Sequence, residues 1–204
     1  MPQKYVSVDV EAAGKTPGKY SMLSFGACIV GSSRTVNFYR ELKPINGNYD
    51  IDAMRIGCLG LKVLDDLKNV DEYNPKSDRF NPELVLKVLE EKGSDQGVAM
   101  YEFKNWVLAS TKEHTPVLAA APIAFDGMFI HWYFDNFLLS DNPFGYGGLD
   151  INSLYQGVVR ELDIGIKALK LRQKGELTHN ALEDAIQQAV EMEEVIRLMS
   201  LRNK

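Results

Sequence analysis

Lys4-Tyr5-Val6-Ser7-Val8-Asp9-Val10-Glu11 alternates without a break, and a period of two over eight residues reads as a β-strand. Val6, Val8 and Val10 share one face; Tyr5, Ser7, Asp9 and Glu11 share the other. The first face is apolar enough to lie on a core. The second ends in two carboxylates projecting side by side, a costly arrangement unless a cation sits between them. Gly14-Lys15-Thr16-Pro17-Gly18 reads as a turn. Residues 20–30 form a second strand, and Gly31-Ser32-Ser33 turns into a third over 35–42. Three strands joined by short turns predict an antiparallel meander.

Downstream the pattern changes. Residues 44–98 are less regular, with short helices expected at 50–56, 59–67 and 83–91 and a polar loop at 71–82. Residues 99–110 form an amphipathic helix with Met100, Phe103, Trp106 and Val107 inward and Tyr101 at the margin. Residues 116–121 are wholly apolar, the pattern of a strand covered on both faces. An unusually aromatic helix is expected at 126–139, a break at 142–148, and a helix at 150–161. The last helix, 181–201, carries an inward stripe of Leu182, Ala185, Ile186, Ala189, Val190, Glu193, Ile196 and Met199, which Glu193 interrupts. A meander followed by strand–helix alternation is an α/β plan, a mixed sheet with helices on both faces. The 204 residues read as a single domain, 1–204, with a longer irregular insertion at about 44–98.

At 45% hydrophobic and 25% charged, the chain has the composition of a folded globular protein rather than a disordered one. A net charge of −5 gives no global basic footprint for nucleic acid. Carboxylates reserved for cations count as negative in that sum, however, and bound metal reverses the local field. Cys28 and Cys58 belong to no metal or redox spacing; Cys28 lies in an apolar run and reads as a small buried hydrophobe. With a strand as early as residue 4 and no run long enough to span a bilayer, the expectation is a cytoplasmic protein without membrane contact.

Two further stretches carry chemistry. Phe125-Asp126 follows the apolar strand, at the end of a central strand where open α/β sheets gather ligands. A helix-capping role for Asp126 is the alternative. In His179-Asn180-Ala181-Leu182-Glu183-Asp184, Asn180 and Glu183 form a capping-box-like start that predicts a helix from Ala181. His179 then lies outside the helix, on a loop, and Asp184 in the first turns. No piece is specific alone; an Asp-x-Glu triplet arises by chance on the order of once in a chain this size. Together, four carboxylates and a histidine suit phosphodiester hydrolysis by two metals, which activate a water and clamp the phosphate while the histidine takes the water's proton.

With these motifs in this order, the chain resembles the DEDD superfamily of 3′→5′ exonucleases, in the DEDDh branch whose last motif is His-x-x-x-x-Asp. The resemblance runs from Val6 to about Val190. It implies a ribonuclease H-like, five-stranded mixed sheet and release of nucleoside 5′-monophosphates from a free, single-stranded 3′ end. Carried over by motif, Asp9, Glu11, Asp126 and Asp184 would hold two Mg²⁺ or Mn²⁺ ions, Asp9 bridging both, with His179 as general base. The backbone at Ala12, Ala13 and Gly14 would approach the terminal sugar, Met22 or Leu23 would wedge against the last base, and Phe125 is placed with the substrate too. Two positions depart from the family. Ala12-Ala13-Gly14 stands where Thr-Thr-Gly is common, and Pro122 stands where an Asn usually precedes the second motif's Asp. The aromatics Phe129, Trp132, Tyr133, Phe134 and Phe137 suit either base stacking or a core. The basic stretch 167–174 suits phosphate contact. RNA or DNA, and monomer or homodimer, stay open. The competing reading is a non-catalytic nucleic-acid-binding relative of the same fold.

Overall fold

In the computed structural model, which describes residues 1–171 and 178–202, the predicted mixed sheet is present. Five strands lie in the order β3-β2-β1-β4-β5. They are β1 (Gln3–Ala12), β2 (Met22–Ile29), β3 (Asn37–Glu41), β4 (Thr115–Ala120) and β5 (Leu149–Asp150). β1, β2 and β3 form the antiparallel meander, while β4 pairs parallel with both β1 and β5. This is the ribonuclease H-like arrangement expected.

The alternation in β1 decides what covers each face. Val6, Val8 and Val10 join Phe25, Ala27, Ile29 and Leu118 in one core. Helices α3 (Gln96–Thr111) and α4 (Ile123–Phe137) cover that core with Phe103, Val107, Phe129, Tyr133 and Phe134. On the opposite face, Cys28, Val30 and Ala119 meet α5 (Ile151–Val159) and α6 (Ala181–Arg202).

Four expectations shift. The helix expected at 59–67 shrinks to a 3₁₀ turn at Lys62–Leu64. Leu61 and Leu64 are buried there, and the backbone N–H groups of Lys62 and Val63 donate to the Glu41 carboxylate instead of continuing a helix. Tyr101, expected at the margin of the inward face, is exposed. The aromatic helix begins at Ile123, not Asp126, because Asp150 accepts the Ile123 N–H at 2.9 Å and supplies the start signal that the sequence lacks locally. The inward stripe of α6 runs through Ala181, Asp184, Ala185, Gln188, Ala189, Met192 and Val195, leaving Ile196 and Met199 exposed. Small alanines on that line let the helix sit close to the sheet.

Segment 44–98 contains α1 (Ile51–Gly57), 3₁₀ turns at Lys62–Leu64 and Asp71–Tyr73, and α2 (Pro82–Lys92). Its apolar residues close over Ala13 and Leu23 of the central strands in a second core. A register shift between Glu11 and Ala12 decides this. The shift places Met22 in the aromatic core and turns Leu23 toward segment 44–98.

Candidate active site

Ser7, Asp9 and Glu11 point from β1 toward α6, whose first turn carries Asp184. Asn180 starts that helix: its side-chain oxygen accepts the Leu182 and Glu183 N–H groups at 3.2 Å each, and its amide donates to the Gly60 carbonyl at 2.8 Å. The predicted cap is therefore the observed one. Two glycines let the helix start this close. A Cβ on Gly26 would lie 2.4 Å from the Leu182 Cα, and one on Gly60 would lie 2.2 Å from the His179 carbonyl.

His179 lies one residue ahead of the cap, as expected, with a left-handed backbone (φ 53°) that L residues seldom adopt. Its Nδ1 is 3.7 Å from the Glu11 Oε1. Glu11, His179 and Asp184 bring ligand atoms within 4.8 Å of one another, a group able to hold a metal ion among the described residues. The Asp184 carboxylate also accepts the Thr178 N–H at 3.4 Å.

Asp126 arrives from the other side of β1. The β1–β4 ladder ends at Ser7 and Ala119, so the β1 edge beyond it is open to the first turn of α4. There the buried Asp126 accepts the Val10 N–H at 2.9 Å. Its role in the structure is thus a bond to β1, between Asp9 and Glu11 in the chain, rather than the start of its own helix, which Pro122 precedes without a side-chain cap. Asp9 is half-buried, and its Oδ1 accepts a 2.7 Å hydrogen bond from the Gln188 amide.

Charge is expensive here. Burial pushes the Glu11 carboxyl up to about 7, against the pull of His179 beside it, with Asp184 adding to the rise. Burial likewise pushes Asp126 up to about 8; the Val10 N–H opposes the shift and the Glu11 charge adds to it. The Glu11 carboxylate raises His179 above its ordinary value, while burial lowers it. A divalent cation would reverse the balance by favouring the ionised acids. A buried set of hard oxygen donors with one imidazole is chemically suited to Mg²⁺ or Mn²⁺.

The expected substrate contacts fare unevenly. Ala13 and Leu23 are enclosed in the second core, and the Ala13 N–H already donates to the Ser21 carbonyl at 2.9 Å. Ala12 and Met22 are buried in the aromatic core. Gly14 is buried as well, and its missing side chain makes room for the Tyr20 ring, which a Cβ would approach to 2.4 Å. These five positions pack the fold and present almost no surface to a ligand. Phe125 stays half-exposed, 5.1 Å from the Phe129 ring. Phe129, Tyr133 and Phe134 are fully buried and belong to the core rather than to a stacking platform. The Tyr133 hydroxyl accepts the Met22 N–H at 2.7 Å.

An open cleft of about 800 Å³ is lined by Asp9, Pro122, Asn152, Gln156, Lys167 and Gln188 among others. Lys167 is close enough to His179 to oppose its protonation. The remainder of the expected basic stretch reaches Lys170, and residues 172–174 lie outside the described residues. Segment 44–98 closes the site from the α1 side: a Cβ on Gly57 would lie 3.1 Å from the Ala12 carbonyl and 3.4 Å from the Glu11 carboxylate. Sequence reasoning missed Gln188 and Asp150. For Gln188 the available signal was its place one turn after Asp184, an amide set among the alanines of the inward stripe.

No family model matches the chain. The 3′–5′ DNA exonuclease Cap18 of Escherichia coli is 37% identical over 193 residues, covering 91% of this chain and 87% of the relative. The fold is similar to that of E. coli exonuclease I. A zinc-bound form of that enzyme with single-stranded DNA superposes with a TM-score of 0.57 at 11% identity, covering 99% of this chain and 41% of that one. Its complex with a dA16 oligonucleotide gives 0.58 at 13% identity, covering 98% and 42%. The chain therefore spans about two fifths of the length of exonuclease I. No helix among the described residues is long and apolar enough to cross a membrane.

Proposed function

The chain belongs to the DEDD superfamily of 3′→5′ exonucleases, and from that premise we propose a two-metal-ion enzyme that degrades single-stranded DNA from a free 3′ end to deoxynucleoside 5′-monophosphates. One observation carries the proposal. Glu11, His179 and Asp184, from opposite ends of the chain, bring ligand atoms within 4.8 Å of one another; Asp126 is close enough to feel the Glu11 charge, and Asp9, two residues before Glu11 on β1, lines an open cleft. A DNA substrate is favoured over RNA by the 37%-identical DNA exonuclease and by the fold shared with a single-strand DNA enzyme.

Asp9, Glu11, Asp126 and Asp184 are the residues that would hold two Mg²⁺ or Mn²⁺ ions. When bound, such ions lower the pKa of a water and offset the charge on the scissile phosphate. The chain's own residues do the rest. His179 faces Glu11 through Nδ1, which leaves Nε2 to take the proton of the attacking water. Lys167 on the cleft wall offers a mobile cation to a backbone phosphate. The half-exposed Phe125 supplies an apolar edge beside Asp126. Pro122 opens α4 at the rim, where it can shape the strand's path but donate nothing to it.

Single-stranded DNA carrying a label at either end tests the proposal, in Mg²⁺, in Mn²⁺ and with chelator. The 3′-terminal label should be released first, as a mononucleotide, and only with metal. A 3′-phosphate should inhibit and a blocked 5′ end should have no effect. Cleavage of circular single strands would contradict end-directed hydrolysis, RNA turned over faster than DNA would reverse the substrate assignment, and binding without any hydrolysis would point to the non-catalytic reading.

A further inference from the structure

Gln188 is buried (3% exposed) on the sheet-facing side of α6, one helical turn beyond Asp184. A carboxamide costs free energy in such a place unless both of its ends are satisfied. Both are. The amide oxygen accepts the Ala121 N–H at 3.0 Å, and the amide nitrogen donates to Asp9 Oδ1 at 2.7 Å. The chemistry fixes this orientation: a backbone N–H can only donate, so the oxygen must face Ala121 and the NH₂ must face the carboxylate.

Resting on the two-metal reading above, we propose that Gln188 is a positioning residue, whose carboxamide holds the Asp9 carboxylate in the orientation that metal binding requires. Its geometry suits this role better than that of a packing residue. It spans three elements: α6 at its root, β1 through Asp9, and the β4–α4 junction through Ala121. Asp126 ties the same α4 back to β1 through the Val10 N–H at 2.9 Å. Two hydrogen bonds between residues 179 and 116 positions apart in sequence, the first partly buried and the second buried, thus hold β1 to α6 and to α4 on either side of Asp9 and Glu11. Hydrogen bonds behind a ligand carboxylate fix its plane, and their loss typically costs about 10–100-fold in metal affinity or activity.

The test uses Gln188→Met, which keeps the length and removes both hydrogen bonds, and Gln188→Glu, which keeps the acceptor for Ala121 but turns a second carboxylate toward Asp9. Mn²⁺ affinity is measured on the full chain without nucleic acid, by paramagnetic-resonance titration, alongside kcat, KM and Tm. The proposal expects Mn²⁺ to bind about 10-fold more weakly to Gln188→Met, with Gln188→Glu at least as impaired. It also expects kcat to fall about 10–100-fold while KM for single-stranded DNA stays within about twofold. A Gln188→Met protein that is less stable yet binds Mn²⁺ as the unsubstituted chain does would reduce Gln188 to packing and overturn the proposal. So would unchanged affinity in a Gln188→Glu protein that stays folded. The two readings fail separately: an unsubstituted chain without metal-dependent 3′ release defeats the proposed function, whereas an active chain indifferent to Gln188 defeats only this inference.

Discussion

The two faces of β1 are made from alternate residues of one strand and follow opposite rules. Val6, Val8 and Val10 enter an aromatic core under α3 and α4, where Phe103 contacts Phe25, Phe38 and Phe134 with ring centroids 5.1–6.0 Å apart. Ser7, Asp9 and Glu11 enter a polar seam under α6, where buried carboxyls meet His179, Gln188 and Asp184. The apolar face gains from every area it removes from water. The polar face pays desolvation for each acid and recovers it only through specific partners. Fixing the site's carboxylates on a strand whose reverse side is locked into the core gives them rigidity that a loop could not provide.

Substitutions on the two faces should therefore fail differently. Phe103→Ala, on the apolar face, should cost about 3–5 kcal/mol. Chemical denaturation should show the loss, and metal should restore little of it. Asp126→Asn, at the polar seam, should lower kcat on the order of 10³-fold, the several kcal/mol that a lost metal ligand represents. Because the amide oxygen still accepts the Val10 N–H, its Tm should stay within a few degrees. A folded Asp126→Asn enzyme with full turnover would remove Asp126 from the site.

Acidity offers a third distinction. Burial raises Glu11 from its ordinary 4.5 to about 7 and Asp126 from 3.8 to about 8. In the metal-free protein these groups bind protons more tightly folded than unfolded. Their contribution to stability is then fully present below about pH 4 and is lost as pH rises through 7 to 8. Thermal melts in chelator should show Tm falling across that window, and Mn²⁺ should raise Tm more at pH 8 than at pH 6. A metal-independent Tm would mean that no cation compensates these acids. Next in size, Gly26→Ala should cost about 1–3 kcal/mol by forcing α6 off β2 and should lower kcat as well, since Asp184 rides on that helix. The smallest effect should come from Glu193→Gln. Glu193 bonds Arg34 at 2.5 Å and the Gly31 N–H at 2.8 Å at a solvent-exposed edge, which holds its carboxyl below the usual range despite partial burial. Breaking that ion pair should cost no more than about 1 kcal/mol and leave hydrolysis unchanged.

Much of this was legible in the chain. Alternation alone sorted the valines of β1 from its acids, because a strand's faces follow from backbone geometry. The start of α6 was equally local, since Asn180 satisfies the N–H groups of residues two and three positions on. That placed His179 outside the helix and Asp184 inside it. The motif order carried the family resemblance, and the 37%-identical exonuclease agrees with it. What the sequence left undecided depends on partners far along the chain. The start of α4 is set by Asp150, 27 residues away, and the Asp126 side chain by Val10, 116 residues away. Ala13 and Leu23 looked available beside a turn until the register shift and segment 44–98 enclosed them. Gln188 looked like one more polar residue on a helix until Asp9 and Ala121 met its two ends. Periodicity and capping are settled within a turn or two of backbone; a buried hydrogen bond between distant elements leaves no local pattern, so only the packed sheet and helices could assign it.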